Sequence, residues 1–257
     1  MKQVEYDHAR NRDAHTVTGA RTAIRAVFGD QLPQSLLDVG CGWGTWLRAA
    51  IDLGVADVLG VDGGAIFRED FLCSYELFHS QDLCQPWDLR RRFDVALCLE
   101  VAEHLPSDVA PVLIEAITKH SDVIVFSAAA PGQPGQHHVN CQWPEYWQRI
   151  FNEYGYACDD SVRWLIWNNR EIEPWYRQNI FVATRSIDLA SREERIRPVL
   201  HPDMLGEAFL SERAKYKSEL ESGILPVSWY LSLPHRAVSA KLKHKLFRVR
   251  TRGTGQQ

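Results

Sequence analysis

Short apolar runs alternate with stretches of helical periodicity over the first half of the chain. The predicted strands are Ser35–Gly40, Val58–Val61, Glu76–His79, Phe93–Leu99 and Val123–Ser127. Residues 6–30, Trp43–Leu53 and Val109–Lys119 instead space their apolar residues three or four positions apart, as amphipathic helices do. The fourth run, FDVALCL, is apolar throughout, which is typical of a strand covered on both faces. This alternation predicts an α/β fold with a doubly wound, mostly parallel sheet of Rossmann-like type.

The pattern changes after Ser127. A loop rich in Gly and Pro, APGQPGQHHVN, is followed by a predicted helix over Pro144–Tyr154. Arg163–Trp167 and Asn179–Thr184 are then predicted as two strands joined by a polar loop. We therefore expect the sheet to end in an antiparallel strand pair, within a first domain that spans residues 1–186.

Residues 187–257 form a second region with the opposite charge. Residues 1–186 carry a net charge of −9, whereas residues 187–257 carry +5. The pattern predicts a charged connector, an outer helix over Pro202–Ser222 and a basic tail, Arg236–Arg252, with seven Lys or Arg and no acid. The acidic first region disfavours nucleic acid as a partner, because phosphate contacts need clustered Lys and Arg. The tail is expected to be either a solvated end or an amphipathic helix in peripheral contact with anionic lipid.

The composition is that of an ordinary globular protein. The 257 residues are 45% hydrophobic and 24% charged, which excludes disordered, collagen-like and coiled-coil classes. The chain has no apolar run of about 18 residues, so no transmembrane helix is expected. Its six cysteines are scattered without a CxxC pair, as expected for free thiols in a reducing compartment. The sequence therefore predicts a cytoplasmic protein.

A glycine-rich turn, Asp38-Val39-Gly40-Cys41-Gly42-Trp43-Gly44, follows the first predicted strand. Glycines between a strand and a helix let the backbone approach a ligand closely, and the helix start presents N–H groups to an anion. Asp62 ends the next strand, where a carboxylate can accept both hydroxyls of a ribose. Asp82 follows the third strand and is expected to contact an adenine amino group, with Leu83 beside the ring. Together these residues predict a cofactor that contains adenosine.

The glycine spacing separates two such cofactors. A dinucleotide fingerprint is GxGxxG, whereas this chain has GxGxG with Thr45 in the place of the third glycine. The run DVGCGWG instead resembles the first motif of class I S-adenosylmethionine-dependent methyltransferases. The resemblance continues through Asp62, Asp82 and FDVALCLEVAEHL, and it covers residues 35–127. It implies that Asp62 holds the ribose and that the Asp82 position touches adenine. The residues it implies for the methionine part are Asp38, Gly40, Gly42 and Gly44.

Two carboxylates and an imidazole follow the fourth predicted strand, at Glu100, Glu103 and His104. If the chain turns helical at residue 100, these positions share one face and converge at the carboxyl edge of the sheet, where open α/β sheets bind ligands. Two carboxylates in a cleft need a cation to balance their charge. His138, or alternatively His137, lies in the next strand–helix loop at the same edge. Two Glu and two His predict an oxygen and nitrogen site for Mg²⁺, Mn²⁺ or Zn²⁺.

The pattern E-x-x-E-H with a later His is similar to that of metal-dependent O-methyltransferases acting on ubiquinone precursors and on the 3′-terminal ribose of small RNAs. The ligands that this resemblance implies are Glu100, Glu103, His104 and His138. The metal would make the acceptor hydroxyl more acidic and align it with the methyl group. Without a metal, Glu100 would face the cofactor, and His138 or His104 would act as a general base or have only a structural role.

Ten aromatic residues lie between Trp143 and Tyr176. Some are expected to pack on the sheet, and the others either complete the core or line a pocket for a ring-shaped acceptor, since Trp and Tyr combine an apolar face with a polar tip. The segment HHVNCQWPEYWQRIFNEYGY also resembles bacterial methyltransferases encoded with polysaccharide or glycolipid assembly enzymes. The predicted activity is O-methylation of a small acceptor, a sugar or glycoconjugate. The alternatives are methylation of a phenolic or catechol-like molecule, and a non-catalytic module that binds S-adenosylmethionine.

Overall fold

The computed structural model describes residues 15–64 and 66–205, together with the isolated positions 227 and 231. The chain divides into two compact units, residues 1–209 and residues 210–257. All strands and α-helices bounded below belong to the first unit.

Seven strands form one sheet in the described part of the chain. They are β1 Ser35–Val39, β2 Asp57–Asp62, β3 Phe78–Ser80, β4 Val95–Leu99, β5 Val123–Ser127, β6 Tyr156–Asp159 and β7 Phe181–Arg185. Their order in the sheet is β3-β2-β1-β4-β5-β7-β6. The first five strands are parallel, whereas β7 runs antiparallel to both β5 and β6. The predicted α/β fold, with a mostly parallel sheet ending in an antiparallel pair, is confirmed.

The helices cover both faces of this sheet. They are α1 Val17–Phe28, α2 Thr45–Asp52, α3 Ala110–Thr118, α4 Pro144–Glu153, α5 Ser161–Ile166 and α6 Pro174–Asn179. Helices α3 and α4 contribute Leu113 and Trp147 to one buried cluster, while the other helices contribute to a second cluster that includes Leu47. Leu36 and Leu37, neighbours in β1, belong to different clusters. This is expected because side chains alternate along a strand, and it shows that the sheet is buried on both faces.

The antiparallel pair is built from different residues than predicted. The segment Arg163–Trp167, predicted as a strand, is mostly the helix α5, and β6 is the antiparallel neighbour of β7. Asp160 is the N-cap residue of this helix, and Asp159 Oδ1 accepts a hydrogen bond from the backbone N–H of Ser161 at 2.9 Å in the turn that precedes it. The two exposed apolar residues Trp164 and Leu165 then lie on the outer face of one short helix. A strand would have placed adjacent residues on opposite faces.

Part of the predicted charged connector belongs to the core of the first unit. Ile196 is buried in the core, and its backbone N–H donates to Oε1 of Gln148 at 2.9 Å. Gln148 also donates through Nε2 to Glu193 Oε1 at 2.9 Å. The predicted helix over Pro202–Ser222 is described only at its start, as a single 3₁₀ turn at Pro202–Met204. Its remainder and the basic tail lie outside the described residues.

No helix in the described part of the chain is long and apolar enough to cross a bilayer. All six cysteines are free thiols.

Candidate active site

The glycine turn between β1 and α2 has a left-handed backbone at each of its three glycines. Gly40, Gly42 and Gly44 have φ angles of 77°, 48° and 79°. The N–H of Gly40 donates to the carbonyl of Val61 at 2.7 Å, which ties the turn to the end of β2. Gly44 is the N-cap residue of α2. Because residues with a Cβ rarely adopt this conformation, the glycines are required for the backbone path that the turn follows.

The glycine turn also touches the segment that follows β4. A Cβ on Gly40 would lie only 2.3 Å from Cγ2 of Val101. Val101 is adjacent to Glu100, the first residue of the predicted carboxylate and histidine cluster. The two predicted sites are therefore in direct contact, which is the arrangement that a reaction between a bound cofactor and an acceptor needs.

Asp62 connects the glycine turn to the loop after β2. Its Oδ2 accepts a hydrogen bond from the N–H of Gly42 at 2.8 Å, and its Oδ1 accepts one from the N–H of Gly64 at 2.7 Å. The side chain is 7% exposed. Both hydrogen bonds hold the carboxylate at the carboxyl end of β2, at the position expected for a ribose contact.

Asp38 is a buried carboxyl group beside Asp62. It is 2% exposed, and its Oδ2 has no hydrogen-bond partner among the described residues. Burial, together with the negative charge of Asp62, raises the pKa of Asp38 to about 8. A buried carboxyl of this kind is stabilised by a cation, so its environment fits the methionine ammonium or the sulfonium of S-adenosylmethionine.

The end of β3 lies beside the end of β2. The N–H of Gln81 donates to the carbonyl of Asp62 at 2.9 Å, and Asp82 Oδ1 accepts from the N–H of Cys84 at 2.9 Å. Asp82 is exposed, whereas Leu83 is buried in the core. The predicted adenine residues thus follow the strand next to Asp62, with Asp82 open to solvent and Leu83 packed inward.

The segment after β4 does not become helical at Glu100, so the expected helical face is wrong. Glu100 has a left-handed backbone with φ of 55°, and a 3₁₀ turn begins only at Ala102. The N–H of Glu100 donates to the carbonyl of Ser127 at 2.9 Å, which turns the chain toward the end of β5. Glu100, Glu103 and His104 therefore do not share one face of an α-helix.

Three of the four predicted metal ligands nevertheless come together. Glu103, His104 and His138 each offer a ligand atom, and these atoms lie within 4.8 Å of one another. The carbonyl of Glu103 accepts hydrogen bonds from the N–H groups of Val139 and Asn140 at 2.9 and 3.0 Å, which docks the histidine loop on this segment. We call these three residues the metal group.

The remaining histidine of the loop is not part of the metal group. His137, the alternative to His138, is exposed and has a left-handed backbone with φ of 54°.

The electrostatics of the metal group fit a cation. Glu103 is 0% exposed, and neither carboxylate oxygen has a hydrogen-bond partner in good geometry among the described residues. Burial and the neighbouring Glu100 carboxylate raise the pKa of Glu103 well above its usual range. Burial, followed by the adjacent His138, lowers the pKa of His104 to about 4, so its imidazole is neutral at pH 7. A buried carboxyl group, whose ionised form a cation would stabilise, and two imidazole rings are the donor set of a divalent transition-metal site.

Glu100 has different partners from the metal group. Gln133 Nε2 donates to Glu100 Oε2 at 2.7 Å, and Asn179 Nδ2 donates to Glu100 Oε1 at 3.1 Å. Glu100 was predicted both as a cofactor contact and as a ligand, and it is not one of the three grouped residues. Sequence reasoning missed Gln133 and Asn179, since the first lies in an irregular loop and the second was predicted only as the start of a strand.

The aromatic segment contributes mainly to the core. Trp147, Phe151, Tyr156 and Tyr176 are at most 2% exposed. Trp164, at 52% exposed, is the most accessible large aromatic of the segment and stacks loosely on Trp167, with ring centroids 5.1 Å apart. Most rings of this segment therefore complete the fold.

A surface cavity of about 690 Å³ lies at the opposite edge of the sheet. Its charged lining includes Arg91, Arg92 and Lys119, which pair with Asp57, Asp122 and Glu115, respectively. Because it lies at the amino ends of the parallel strands, it is separate from the glycine turn and the metal group.

Comparison with known proteins identifies the region that holds this site. The profile of a family described as a methyltransferase domain matches residues 6–161. No curated protein matches the chain.

Solved structures with a similar fold include DesVI of Streptomyces venezuelae, at 15% identity and a TM-score of 0.51 over 71% of this chain and 100% of DesVI. The sugar N-methyltransferase KedS8 of Streptoalloteichus sp ATCC 53650 is similar at 16% identity and a TM-score of 0.50, over 72% of this chain and 95% of KedS8. At these identities the likeness shows the fold alone.

Proposed function

Since the chain belongs to the class I S-adenosylmethionine-dependent methyltransferases, we propose that it methylates a hydroxyl oxygen of a small acceptor, a sugar or glycoconjugate. One observation carries the choice of oxygen. The buried carboxylate of Glu103 lies beside the imidazoles of His104 and His138, next to the glycine turn. Such a group binds a metal that activates hydroxyls, or takes up the proton that a hydroxyl must lose.

The residues around the glycine turn bind and orient the donor. The sulfonium of S-adenosylmethionine supplies the methyl group when the cofactor is bound. Asp38 provides a buried carboxyl that a bound cation would ionise, which suits the cationic part of the cofactor, and Asp62 provides the acceptor oxygens for the ribose. The left-handed turn at Gly40 brings this part of the site against Val101, at the start of the acceptor side. Alignment of donor and acceptor is the main contribution that the protein must make.

The metal group would hold a divalent cation through Glu103, His104 and His138. Such an ion, when bound, acidifies an acceptor hydroxyl and fixes its position. Imidazole nitrogen is a better ligand for Mn²⁺ or Zn²⁺ than for Mg²⁺, so the two histidines favour Mn²⁺ or Zn²⁺ among the ions considered. A three-residue set leaves coordination positions for two neighbouring oxygens of the acceptor. Adjacent hydroxyls are a common feature of sugars, and catechols share it.

An acceptor screen tests this proposal. The purified chain is incubated with S-adenosylmethionine labelled in the methyl group, and with two matched panels, glycosides bearing adjacent hydroxyls and phenols including catechols. We expect labelled ether products from glycosides. Turnover of phenols alone would replace the sugar by the phenolic acceptor, and cofactor binding without turnover of either panel would support a non-catalytic module.

The location proposed for the enzyme is the cytoplasm. Its six cysteines are all free thiols, which suits a reducing compartment.

A further inference from the structure

We propose that Gln133 is a positioning residue that couples the Glu100 carboxylate to the His138 imidazole and, with Asn179, holds Glu100 outside the metal group. This inference rests on the proposed metal-assisted function. It differs from the ligand set that the sequence pattern implied, because it reduces the protein ligands to three and gives Glu100 a separate role. Gln133 and Asn179 are called the amide clamp below.

The amide clamp lies at the end of a buried series of hydrogen bonds. Every bond in this series donates toward Glu100, beginning at the backbone N–H of His201. The backbone N–H of His201 donates to Gln178 Oε1 at 2.8 Å, and Gln178 Nε2 donates to Asn179 Oδ1 at 3.1 Å. Asn179 Nδ2 donates to Gln133 Oε1 at 2.9 Å and to Glu100 Oε1 at 3.1 Å. Gln133 Nε2 completes the chain by donating to Glu100 Oε2 at 2.7 Å.

The backbone N–H of His201, at one end of this hydrogen-bond series, fixes the orientation of every amide in it, because a backbone N–H can only donate. Each intervening amide must therefore turn its oxygen toward His201 and its nitrogen toward Glu100. Gln133, Gln178 and Asn179 are 7%, 1% and 2% exposed, so water does not replace a lost partner easily. Breaking one bond leaves a buried polar group unsatisfied, which destabilises this arrangement.

The clamp gives both Glu100 oxygens a partner that is not a metal. Each oxygen accepts a hydrogen bond from a different side-chain amide. The left-handed backbone of Glu100 also turns the polypeptide away from a regular helix. Glu103, three residues further on, has no side-chain amide as a partner among the described residues, and its carboxyl neighbour is Glu100 itself. The two carboxylates that the sequence pattern treats alike are thereby separated into one clamped group and one metal ligand.

Gln133 reaches the metal group through its own backbone. Its carbonyl lies 3.0 Å from Nδ1 of His138. A carbonyl can only accept, so Nδ1 carries the proton and the Nε2 lone pair is left for a metal. The position of His138 Nε2 is tightly defined, since a Cβ on Gly135 would lie 2.0 Å from this atom. Residues that orient a ligating histidine in this way change metal affinity by about 10–100-fold when they are mutated.

The inference is tested with Gln133→Met, which keeps the length of the side chain and removes its amide. Nitrogen NMR of the full, metal-free chain reports which ring nitrogen of His138 carries the proton, and titration with Mn²⁺ followed by electron paramagnetic resonance gives the affinity. In the wild type we expect His138 to carry its proton mainly on Nδ1. In Gln133→Met we expect this tautomer no longer to predominate and the affinity for Mn²⁺ to be about tenfold weaker. Asn179→Leu, which frees one Glu100 oxygen, should weaken Mn²⁺ binding less.

Gln148→Met is the matched control, because Gln148 is equally buried and its amide is also fully bonded, but to Glu193 and Ile196. It should lower thermal stability and leave both His138 readouts unchanged. Unchanged His138 readouts in Gln133→Met, or equal changes in Gln148→Met, would overturn the positioning role.

The NMR measurement needs no metal, so failure of the proposed metal-assisted function can be distinguished from failure of the proposed role of Gln133. A wild type that shows the Nδ1–H form and binds no Mn²⁺ would contradict the proposed metal, and a response of His138 confined to Gln133→Met would still support the clamp.

Discussion

The N–H of Gly42 donates to the Asp62 carboxylate at 2.8 Å, so one hydrogen bond joins the middle of the glycine turn to the end of the neighbouring strand. The same carboxylate also accepts from Gly64, and it borders the buried Asp38. The parts of the site assigned to the methionine and to the ribose are thus held as one unit, and a change at Asp62 affects both.

Replacing Asp62 by asparagine should weaken cofactor binding. The amide keeps the size of the side chain but removes the charge that accepts ribose hydroxyls and one acceptor of the two backbone hydrogen bonds. We expect the affinity for S-adenosylhomocysteine, measured by calorimetry, to fall at least tenfold, which corresponds to about 1.4 kcal/mol. Asp57→Asn is the control, since Asp57 is an exposed aspartate at the other end of the same strand. Equal affinities of wild type and Asp62→Asn would argue against the ribose contact.

Gly40→Ala should destabilise the protein more than Gly54→Ala. Both glycines have a positive φ, so alanine at either position is strained by about 1–3 kcal/mol. Only at Gly40 does the new Cβ also collide with Val101, whereas nothing lies within 4 Å at Gly54. Urea unfolding measures the two free energies of unfolding, and the difference between them isolates the collision. Equal losses would mean that Val101 moves aside without cost.

A site residue can be predicted from the sequence when its position follows from the order and spacing of the strands, and not when it depends on contacts between distant residues. The glycine turn and Asp62 follow from spacing along the chain, because parallel strands place their carboxyl ends at one edge whatever their detailed packing. Glu103, His104 and His138 lie near one another at that edge for the same reason, although the predicted helical face for residues 100–104 is wrong.

The remaining features depend on tertiary contacts that no local pattern encodes. Arg163–Trp167 has the residues of a strand, and the short helix α5 forms there because it buries Val162 and Ile166 against the sheet. The left-handed Glu100 depends on Ser127, and the amide clamp brings together residues 33 and 79 positions away from Glu100. Such partners are chosen by packing.

Gly135→Ala should weaken metal binding without unfolding the chain. The added methyl would lie 2.0 Å from Nε2 of His138, so the ring must leave the position in which it joins Glu103 and His104. Gly135 itself is exposed, and the core is unaffected. We expect Mn²⁺ affinity to drop by about tenfold or more at nearly unchanged melting temperature.

Glu103→Gln provides the comparison for loss of a ligand, and it should weaken Mn²⁺ binding at least as strongly. If both variants bind Mn²⁺ with wild-type affinity, Glu103 and His138 are not ligands of a bound metal.

The contribution of His120 to stability should fall as the pH drops below about 6.5. The Nε2 atom of this buried ring accepts from the N–H of Leu89 at 2.8 Å, and Nδ1 donates to the carbonyl of Ala116 at 2.6 Å. Burial lowers the pKa of His120 below 6.5, aided by Arg92 and Lys119 and opposed by the Ala116 hydrogen bond and by Asp88. The unfolded chain therefore takes up the proton more readily. The stabilising contribution is complete above pH 6.5 and is lost as the pH falls toward the lower folded pKa.

Urea unfolding of wild type and His120→Gln at several pH values between 7.5 and 5.5 isolates this contribution. His104, whose pKa is also lowered, affects both proteins alike. On acidification the free energy of unfolding of the wild type should fall relative to that of the variant, and parallel curves would show that His120 does not contribute.

The most direct test of the account is methyl transfer measured with and without metal. The purified chain is stripped with excess chelator, given labelled S-adenosylmethionine and glycosides bearing adjacent hydroxyls, and then supplied with Mn²⁺ in excess of the chelator. We predict that transfer stops with the chelator, returns with Mn²⁺, and does not return in Glu103→Gln. Full transfer in the presence of chelator, or undiminished transfer by Glu103→Gln, would contradict it.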